Sequence, residues 1–245
     1  MIEEELRRSN EDLERFAFVV SHDMGEPLRT IQREASEIVE APQLAREVAG
    51  KISEATGAMQ RLISDLLTYA RLGQTSLESD NAVSLTDVLM WAKTNLSALI
   101  HENQAEITSG QLPSVFADFA PLSQLLQNLL TNAIKYRSES PPRIHVSAIR
   151  SGDVCTIAVQ DNGIGINPAD AAVIFAPFKR LHGKKVPGTG IGLSICRRIV
   201  ERLGGQIWVE PGANGGSIFK FNLPARLIPD DSRVTVLARS LSKSA

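Results

Sequence analysis

Three short segments in the second half of the chain combine the residue types that a nucleotide site needs. A carboxylate stands among glycines in Asp161-Asn-Gly163-Ile-Gly165, and a second glycine cluster is Gly188-Thr-Gly-Ile-Gly-Leu193. An Asn-rich segment, Asn128-Leu-Leu-Thr-Asn-Ala-Ile-Lys-Tyr136, precedes both. Together these segments predict a pocket that holds a base at one end and phosphates at the other.

Each of these residue types has a chemical reason to be in such a site. An aspartate at the end of a strand can accept a hydrogen bond from an exocyclic amine such as that of adenine. Gly163 and Gly165 allow the backbone to turn and to approach a ring closely. Gly188, Gly190 and Gly192 lead into a predicted helix, and the free N–H groups and positive dipole of its first turn suit phosphates.

The Asn-rich segment indicates where phosphates and a cation would be held. Asn128, Asn132 and Lys135 have the spacing i, i+4, i+7 and therefore share one face of a helix. Neutral Asn oxygens suit Mg²⁺ that is held mainly by nucleotide phosphates and water. Lys135 can neutralise phosphate charge, and Tyr136 can pack near the base.

Two common phosphate-binding motifs are absent from the sequence. Gly183-Lys184 is followed by Lys185 and lacks the upstream glycine of a Gly-x4-Gly-Lys-Ser/Thr loop. The cluster Gly188-x-Gly190-x-x-Leu193 lacks the third glycine of a dinucleotide fingerprint. Singly, each remaining segment is a weak signal, because Asp-x-Gly-x-Gly is often only a turn and a helical Asn pair is often solvated. Their order and separation favour a nucleotide site.

A candidate acceptor for a phosphoryl group lies far upstream, at His22 in Ser-His-Asp-Met-Gly-Glu-Pro-Leu. His22 is about 200° around a helix from both Val20 and Met24, so we expect it to face solvent. A lone histidine on a helix is usually a surface residue. Here the adjacent Asp23 can orient the ring or accept its proton, which favours a neutral nucleophilic nitrogen.

The elements before residue 74 predict a helical hairpin. Residues 1–40 form one predicted amphipathic helix, whose apolar stripe changes phase near Gly25 and Pro27. A second predicted helix ends near Gly73 and carries apolar residues at nearly strict heptad spacing: Leu44, Val48, Ile52, Ala55, Met59, Leu62, Leu66 and Tyr69. A lone hairpin cannot bury both stripes, so we expect a dimeric four-helix bundle.

The rest of the chain predicts a mixed domain. Residues 74–83 are polar and are interpreted as a linker, 84–224 as an α/β sandwich with helices on one face, and 225–245 as a tail of undecided role. Helices are expected at 85–101, 119–137 and 190–204, and strands at 104–108, 113–117, 143–150, 154–160, 206–210 and 217–223. The long connection between Ile166 and Gly188 is expected to be a mobile lid.

Composition supports an ordinary globular protein. The chain has 245 residues, 43% apolar residues and a formal net charge of −2, so neither nucleic acid nor a membrane surface is the expected partner. An acidic start without a signal peptide makes the cytoplasm the expected compartment. Cys155 and Cys196 stand in apolar runs and are interpreted as core residues.

The nucleotide segments, together with Ile174-Phe-Ala-Pro-Phe-Lys-Arg-Leu-His182, closely resemble the successive boxes of a sensor histidine kinase catalytic domain. The resemblance spans about residues 84–224, and the hairpin extends it to nearly the whole chain short of the tail. It implies the Bergerat (GHKL) fold, which is shared with the Hsp90, gyrase B and MutL ATPases. The run from Phe175 to Gly183 is most like the kinase modules of bacterial phytochromes.

The resemblance implies roles for particular residues. Asn132 would bind Mg²⁺ with help from Asn128, Lys135 would contact phosphate, Tyr136 would lie near the purine and Asp161 would bind its amine. Phe178 would anchor the lid, and Lys179 or Arg180 would reach the γ-phosphate. The remaining residues of the implied ATP site are Gly163, Gly165, Ile166, Gly188, Thr189, Gly190, Gly192 and Leu193.

The resemblance also implies an activity, with His22 and Asp23 in a His-Asp/Glu-x-x-x-Pro-Leu acceptor box. The expected protein is a homodimeric ATP-dependent autokinase that passes its phosphoryl group to an Asp of a response regulator and answers to an upstream sensor domain or input protein. Glu26 stands where many members carry Thr or Asn, so a phosphatase activity is not implied. The alternatives are an ATP-driven conformational machine of the same fold and a catalytically weak or inactive dimer that docks or dephosphorylates a regulator.

Overall fold

The computed structural model describes residues 24–37, 44–72, 81–181, 189–213 and 215–224. The first predicted helix is therefore seen only in its later part, and most of the predicted linker and all of the tail lie outside the described residues. Within the described residues, no helix combines the length and the apolar character needed to cross a membrane.

Two helices belong to the predicted hairpin. Residues 24–37 are helical (α1), and α2 is Ala45–Arg71. Val48, Ala55 and Leu62 of α2 are buried at heptad spacing, as the sequence predicts. Glu34 of α1 is also buried, and its carboxylate lies 3.6 Å from the ammonium of Lys51 on α2. This ion pair and the apolar stripe hold the two helices against each other.

The second part of the chain is an α/β sandwich. Its helices are α3 (Leu85–Asn95), α4 (Ser97–Glu102), α5 (Phe119–Lys135) and α6 (Gly192–Arg202). Its strands are β1 (Ala82–Ser84), β2 (Glu106–Ser109), β3 (Ser114–Phe116), β4 (Arg143–Ser151), β5 (Val154–Asp161), β6 (Ile207–Pro211) and β7 (Ser217–Pro224).

The main sheet has the order β2-β4-β5-β7-β6, and its helices cover one face. Alternate residues of β5 and β7 are buried, for example Ile157 and Phe221, because successive side chains of a strand point to opposite faces. They share one core cluster with Leu129 of α5 and Ile195 of α6. Both cysteines are buried, as predicted.

The pair β2·β4 is parallel, whereas the other pairs in this sheet are antiparallel. Two local features differ from the sequence prediction. Strand β1 pairs with β3 and begins at Ala82, inside the predicted linker. The predicted helix 85–101 is broken at Leu96, because Thr94 and Asn95 each bond back to a backbone carbonyl four residues earlier, both at 2.9 Å.

The first part of the predicted lid is anchored rather than free. A 3₁₀ turn, Pro168–Asp170, follows the glycine loop, and its N-cap Asn167 accepts a 3.0 Å hydrogen bond from the N–H of Ala169. Ile174 and Phe175 are then buried in the main core cluster. This packing fixes the chain where it passes over the predicted pocket.

Candidate nucleotide site

The structure brings the three predicted segments together around one pocket. One part of it, the base end, is lined by α5, the end of β5, the loop after it and the start of α6. The predicted residues found there are Asn132, Tyr136, Asp161, Gly165, Ile166, Lys179, Arg180 and Leu193. Apolar walls from Ile164, Ile174 and Phe219 complete a slot that suits a flat ring.

Asp161 is held at the bottom of this slot by the backbone. Its Oδ1 accepts hydrogen bonds from the N–H groups of Gly163, at 2.8 Å, and Ser217, at 3.1 Å. Both bonds use the same oxygen, which leaves Oδ2 to accept from a ligand. Burial raises the pKa of Asp161, and the two backbone bonds oppose that rise. The group is suited to recognise the exocyclic amine of a purine.

Gly163 is required by close contact between two backbone segments. A Cβ at this position would overlap the carbonyl oxygen of Tyr136, at the end of α5. The same carbonyl accepts a 3.0 Å hydrogen bond from the N–H of Ile164. The loop after β5 is thereby tied to the Asn-rich helix, so the base end and the phosphate end of the pocket keep a fixed separation.

The other part of the pocket, which we call the phosphate corner, is lined by residues that include Asn128, Asn132, Lys135, Thr189 and Gly192. The first three lie on one face of α5, as predicted. Gly192 is the first residue of α6, and Thr189 lies three residues before it. The side chain of Lys135 is exposed overall, yet burial and then the nearby Arg61 lower its pKa. A cation beside a helix N-terminus is an arrangement that binds phosphates.

The two predicted magnesium ligands have different surroundings. The amide of Asn128 accepts from Gln124 at 3.1 Å and donates to the Gly192 carbonyl at 3.2 Å. It therefore links α5 to the start of α6. Asn132 lies one turn further along α5 and lines both parts of the pocket.

Phe178 joins the loop over the pocket to the second glycine cluster. Its backbone has a φ of +62°, and its N–H donates a 2.9 Å hydrogen bond to the carbonyl of Gly190. Gly190 itself has a φ of +72°, and a Cβ there would lie 3.0 Å from the Phe178 backbone. Lys179 and Arg180 follow directly and line both parts of the pocket.

Other predicted residues lie outside the described part of the chain, and two site residues were missed by sequence reasoning. His22, Asp23 and Gly188 are not described.

Ser217 contributes only its backbone N–H, which no motif reveals. Asp65 of α2 lines the phosphate corner, and its Oδ2 accepts a 2.7 Å hydrogen bond from Thr189. Asp65 lies on the polar side of an amphipathic helix, and the sequence pattern there does not predict this contact.

Comparison with known proteins identifies the class of this site. Residues 117–227 match the family model of the histidine kinase-, DNA gyrase B- and HSP90-like ATPases, and residues 12–75 match that of the His Kinase A phospho-acceptor domain. The chain therefore contains the two domains of a histidine kinase module. Its second part is an ATP-binding domain of the GHKL type, and the first model match includes the nucleotide pocket while the second includes His22.

The relatives of this chain include two proteins with phytochrome names. The chain is 40% identical over 225 residues to phytochrome-like protein Cph1 of Synechocystis, and 42% identical over 229 residues to cyanobacterial phytochrome A of Nostoc. These alignments cover 89% and 90% of the chain, but only 30% and 29% of the relatives. The chain therefore spans less than a third of the length of these relatives.

Solved kinase structures share the fold. Full-length ShkA in complex with AMPPNP has a TM-score of 0.63 at 24% identity, over 88% of this chain and 47% of that one. Histidine kinase ThkA in complex with the response regulator protein TrrA has a TM-score of 0.71 at 21% identity, over 90% of this chain and 64% of that one.

Proposed function

We propose that the chain is the kinase module of a longer sensor protein and transfers the γ-phosphoryl group of ATP to His22. This proposal rests on one observation: the same chain has both a nucleotide pocket and a phospho-acceptor segment. A nucleotide pocket has Asp161 at its base end and Lys135 at its phosphate corner, and a phospho-acceptor match spans His22.

The proposed transfer is an in-line displacement at phosphorus. A ring nitrogen of His22 attacks the γ-phosphorus as the bond to the β–γ bridging oxygen breaks, and ADP leaves. Asp23 orients the imidazole and accepts its proton. Positioning and charge neutralisation supply most of the rate in such reactions, and we assign the latter to Lys135 and Arg180. Mg²⁺ would neutralise phosphate charge when bound, with Asn132, and Asn128 beside it, as its protein ligands.

We propose four further features of the module. The module is a homodimer through the hairpin, and its phosphohistidine passes the phosphoryl group to an Asp of a response regulator. An input domain elsewhere in a longer protein controls it. This proposal is supported by its phytochrome relatives, which are more than three times its length. Because ATP is the phosphoryl donor, we assign the module to the cytoplasm.

The test is incubation with γ-labelled ATP and Mg²⁺. We expect acid-labile, base-stable label on the wild type and none on His22→Ala. His101→Ala is the matched control, since His101 is an exposed histidine of α4, and it should be labelled like the wild type. Label that persists in His22→Ala would refute the assignment. ATP binding without label in any variant would instead identify an inactive module that docks a regulator.

A further inference from the structure

The last turns of α2 reach across the molecule to the phosphate corner. Thr189, three residues before α6, donates a 2.7 Å hydrogen bond to Asp65 of α2. Leu62 and Leu72, on either side of Asp65, are buried in the same core cluster as α5 and α6. This contact is therefore part of a packed interface, and a hairpin residue forms part of the wall of the nucleotide site.

Asp65 stands among positive charges. Burial raises its pKa, whereas the bond from Thr189 and the charges of Lys135 and Arg61 oppose that rise. In return, Asp65 acts to raise the pKa of Lys135, which burial and Arg61 lower. The carboxylate therefore offsets part of the positive charge that a triphosphate would meet in this corner.

We propose that Asp65 competes with nucleotide phosphates for the phosphate corner. Binding of ATP weakens the contact of Asp65 with Thr189 and loosens the last turns of α2 from α6, because the Asp65 carboxylate lines the corner and like charges brought close together repel each other. Coupling between two binding events is reciprocal, so docking of the hairpin lowers ATP affinity by the same factor. This inference rests on the proposed function, since it requires that ATP phosphates enter this corner.

The competition has a consequence for phosphoryl transfer. The hairpin contains both Asp65 and the proposed acceptor His22, and α2 is held against the ATP-binding domain through Thr189. Nucleotide binding would therefore free the hairpin to move relative to α6 at the moment when the phosphoryl donor is in place. Asp65 is a positioning residue in this scheme and takes no part in the transfer.

The first test is the affinity for a non-hydrolysable ATP analogue, measured by calorimetry with Mg²⁺. Asp65→Asn keeps an oxygen that can accept from Thr189 but removes the charge, and we expect its Kd to fall at least about 5-fold, the lower end of typical coupling. Glu54→Gln is the matched control, because Glu54 is an exposed acid of the same helix and its loss should leave the Kd unchanged. Thermal unfolding of each variant checks that it folds.

The outcomes separate this inference from the proposed function. If the wild type binds no ATP analogue, the proposed function fails. If it binds and Asp65→Asn binds equally well, the competition is refuted and the proposed function stands. Weaker binding by Asp65→Asn would also refute it, because Asp65 would then assist the nucleotide or its cation.

The second test is hydrogen exchange followed by mass spectrometry. We expect the analogue to increase exchange in residues 62–72 of the wild type. Thr189→Val removes the hydroxyl that bonds Asp65, so its exchange in this segment should be raised before any nucleotide is added. Exchange that falls or stays constant in the wild type on analogue binding would overturn the inference.

Discussion

The guanidinium of Arg198 lies 3.7 Å from the centroid of the Tyr69 ring and donates a 3.1 Å hydrogen bond to the Tyr69 carbonyl. The two residues are on α6 and α2, so this contact joins the ATP-binding domain to the end of the hairpin. One turn further along α6, Arg202 donates to the carbonyl of Leu72, the C-cap of α2. Cations at these carbonyls also complement the negative end of the helix dipole.

We therefore expect Arg198→Ala to lower the free energy of unfolding by about 1–3 kcal/mol, from the lost carbonyl bond and the lost cation–π contact. Urea denaturation measures this. Arg197→Ala is the control, because Arg197 is exposed and pairs with exposed Glu201, an arrangement that contributes about 0.3–0.5 kcal/mol. Equal losses in the two variants would show that the contact with Tyr69 adds nothing.

Asp161→Asn should strongly weaken nucleotide binding without unfolding the domain. The Asn oxygen can keep the two backbone hydrogen bonds from Gly163 and Ser217, whereas its NH₂ group would face the amine of the base. A hydrogen bond to a charged group contributes about 1.5–3 kcal/mol, so we expect ATP affinity to fall about 100-fold. Calorimetry measures it, with Asp153→Asn as the control at an exposed turn. Unchanged ATP affinity in Asp161→Asn would show that the Asp161 carboxylate does not recognise the nucleotide.

The raised pKa of Asp161 predicts a pH dependence with a definite sign. The native state holds this proton at pH values where the unfolded chain, with an ordinary aspartate pKa of about 3.9, has released it. The contribution of Asp161 to the free energy of unfolding should therefore decrease as pH rises from the ordinary pKa through the raised one. Urea denaturation of wild type and Asp161→Asn across this range measures the difference. A difference that does not vary with pH would contradict the shift.

The elements that the sequence predicted well are those whose burial repeats along the chain. Strand β7 alternates Ser217, Phe219, Phe221 and Leu223 into the core, and its predicted bounds differ from the observed ones by one residue at the end. The heptad of α2 was equally clear. Both patterns are set by one face of a single element, so no distant partner is needed to recognise them.

The features that were missed depend on residues far apart in sequence. Strand β1 has three residues, too few for an alternating pattern, and it exists because β3 pairs with it. Asp65 meets Thr189 across 124 residues, and the bond from Ser217 to Asp161 spans 56. Such contacts follow from how packed elements meet, which local periodicity does not encode.

Gly163→Ala adds only a methyl group, yet we expect it to disrupt the nucleotide site. The added Cβ would overlap the Tyr136 carbonyl oxygen, so the loop or the end of α5 must shift, at a cost of about 1–3 kcal/mol. We expect ATP binding to be lost and the melting temperature to fall. Gly110→Ala is the control, because a Cβ at Gly110 meets nothing within 4 Å, and it should match or exceed wild-type stability.

The outer face of α2 carries an apolar pair, Ile63 and Leu67, which are 40% and 53% exposed. They lie one turn apart and next to the buried heptad stripe, where a second hairpin would cover them in a four-helix bundle. We expect the double substitution Ile63→Asp, Leu67→Asp to convert the proposed dimer to a monomer, as measured by light scattering coupled to gel filtration. The matched control is Ser53→Asp, Gln60→Asp, which adds the same charge at exposed polar positions of α2. A dimer that survives the first pair and is lost with the second would assign the interface to the opposite face of the helix.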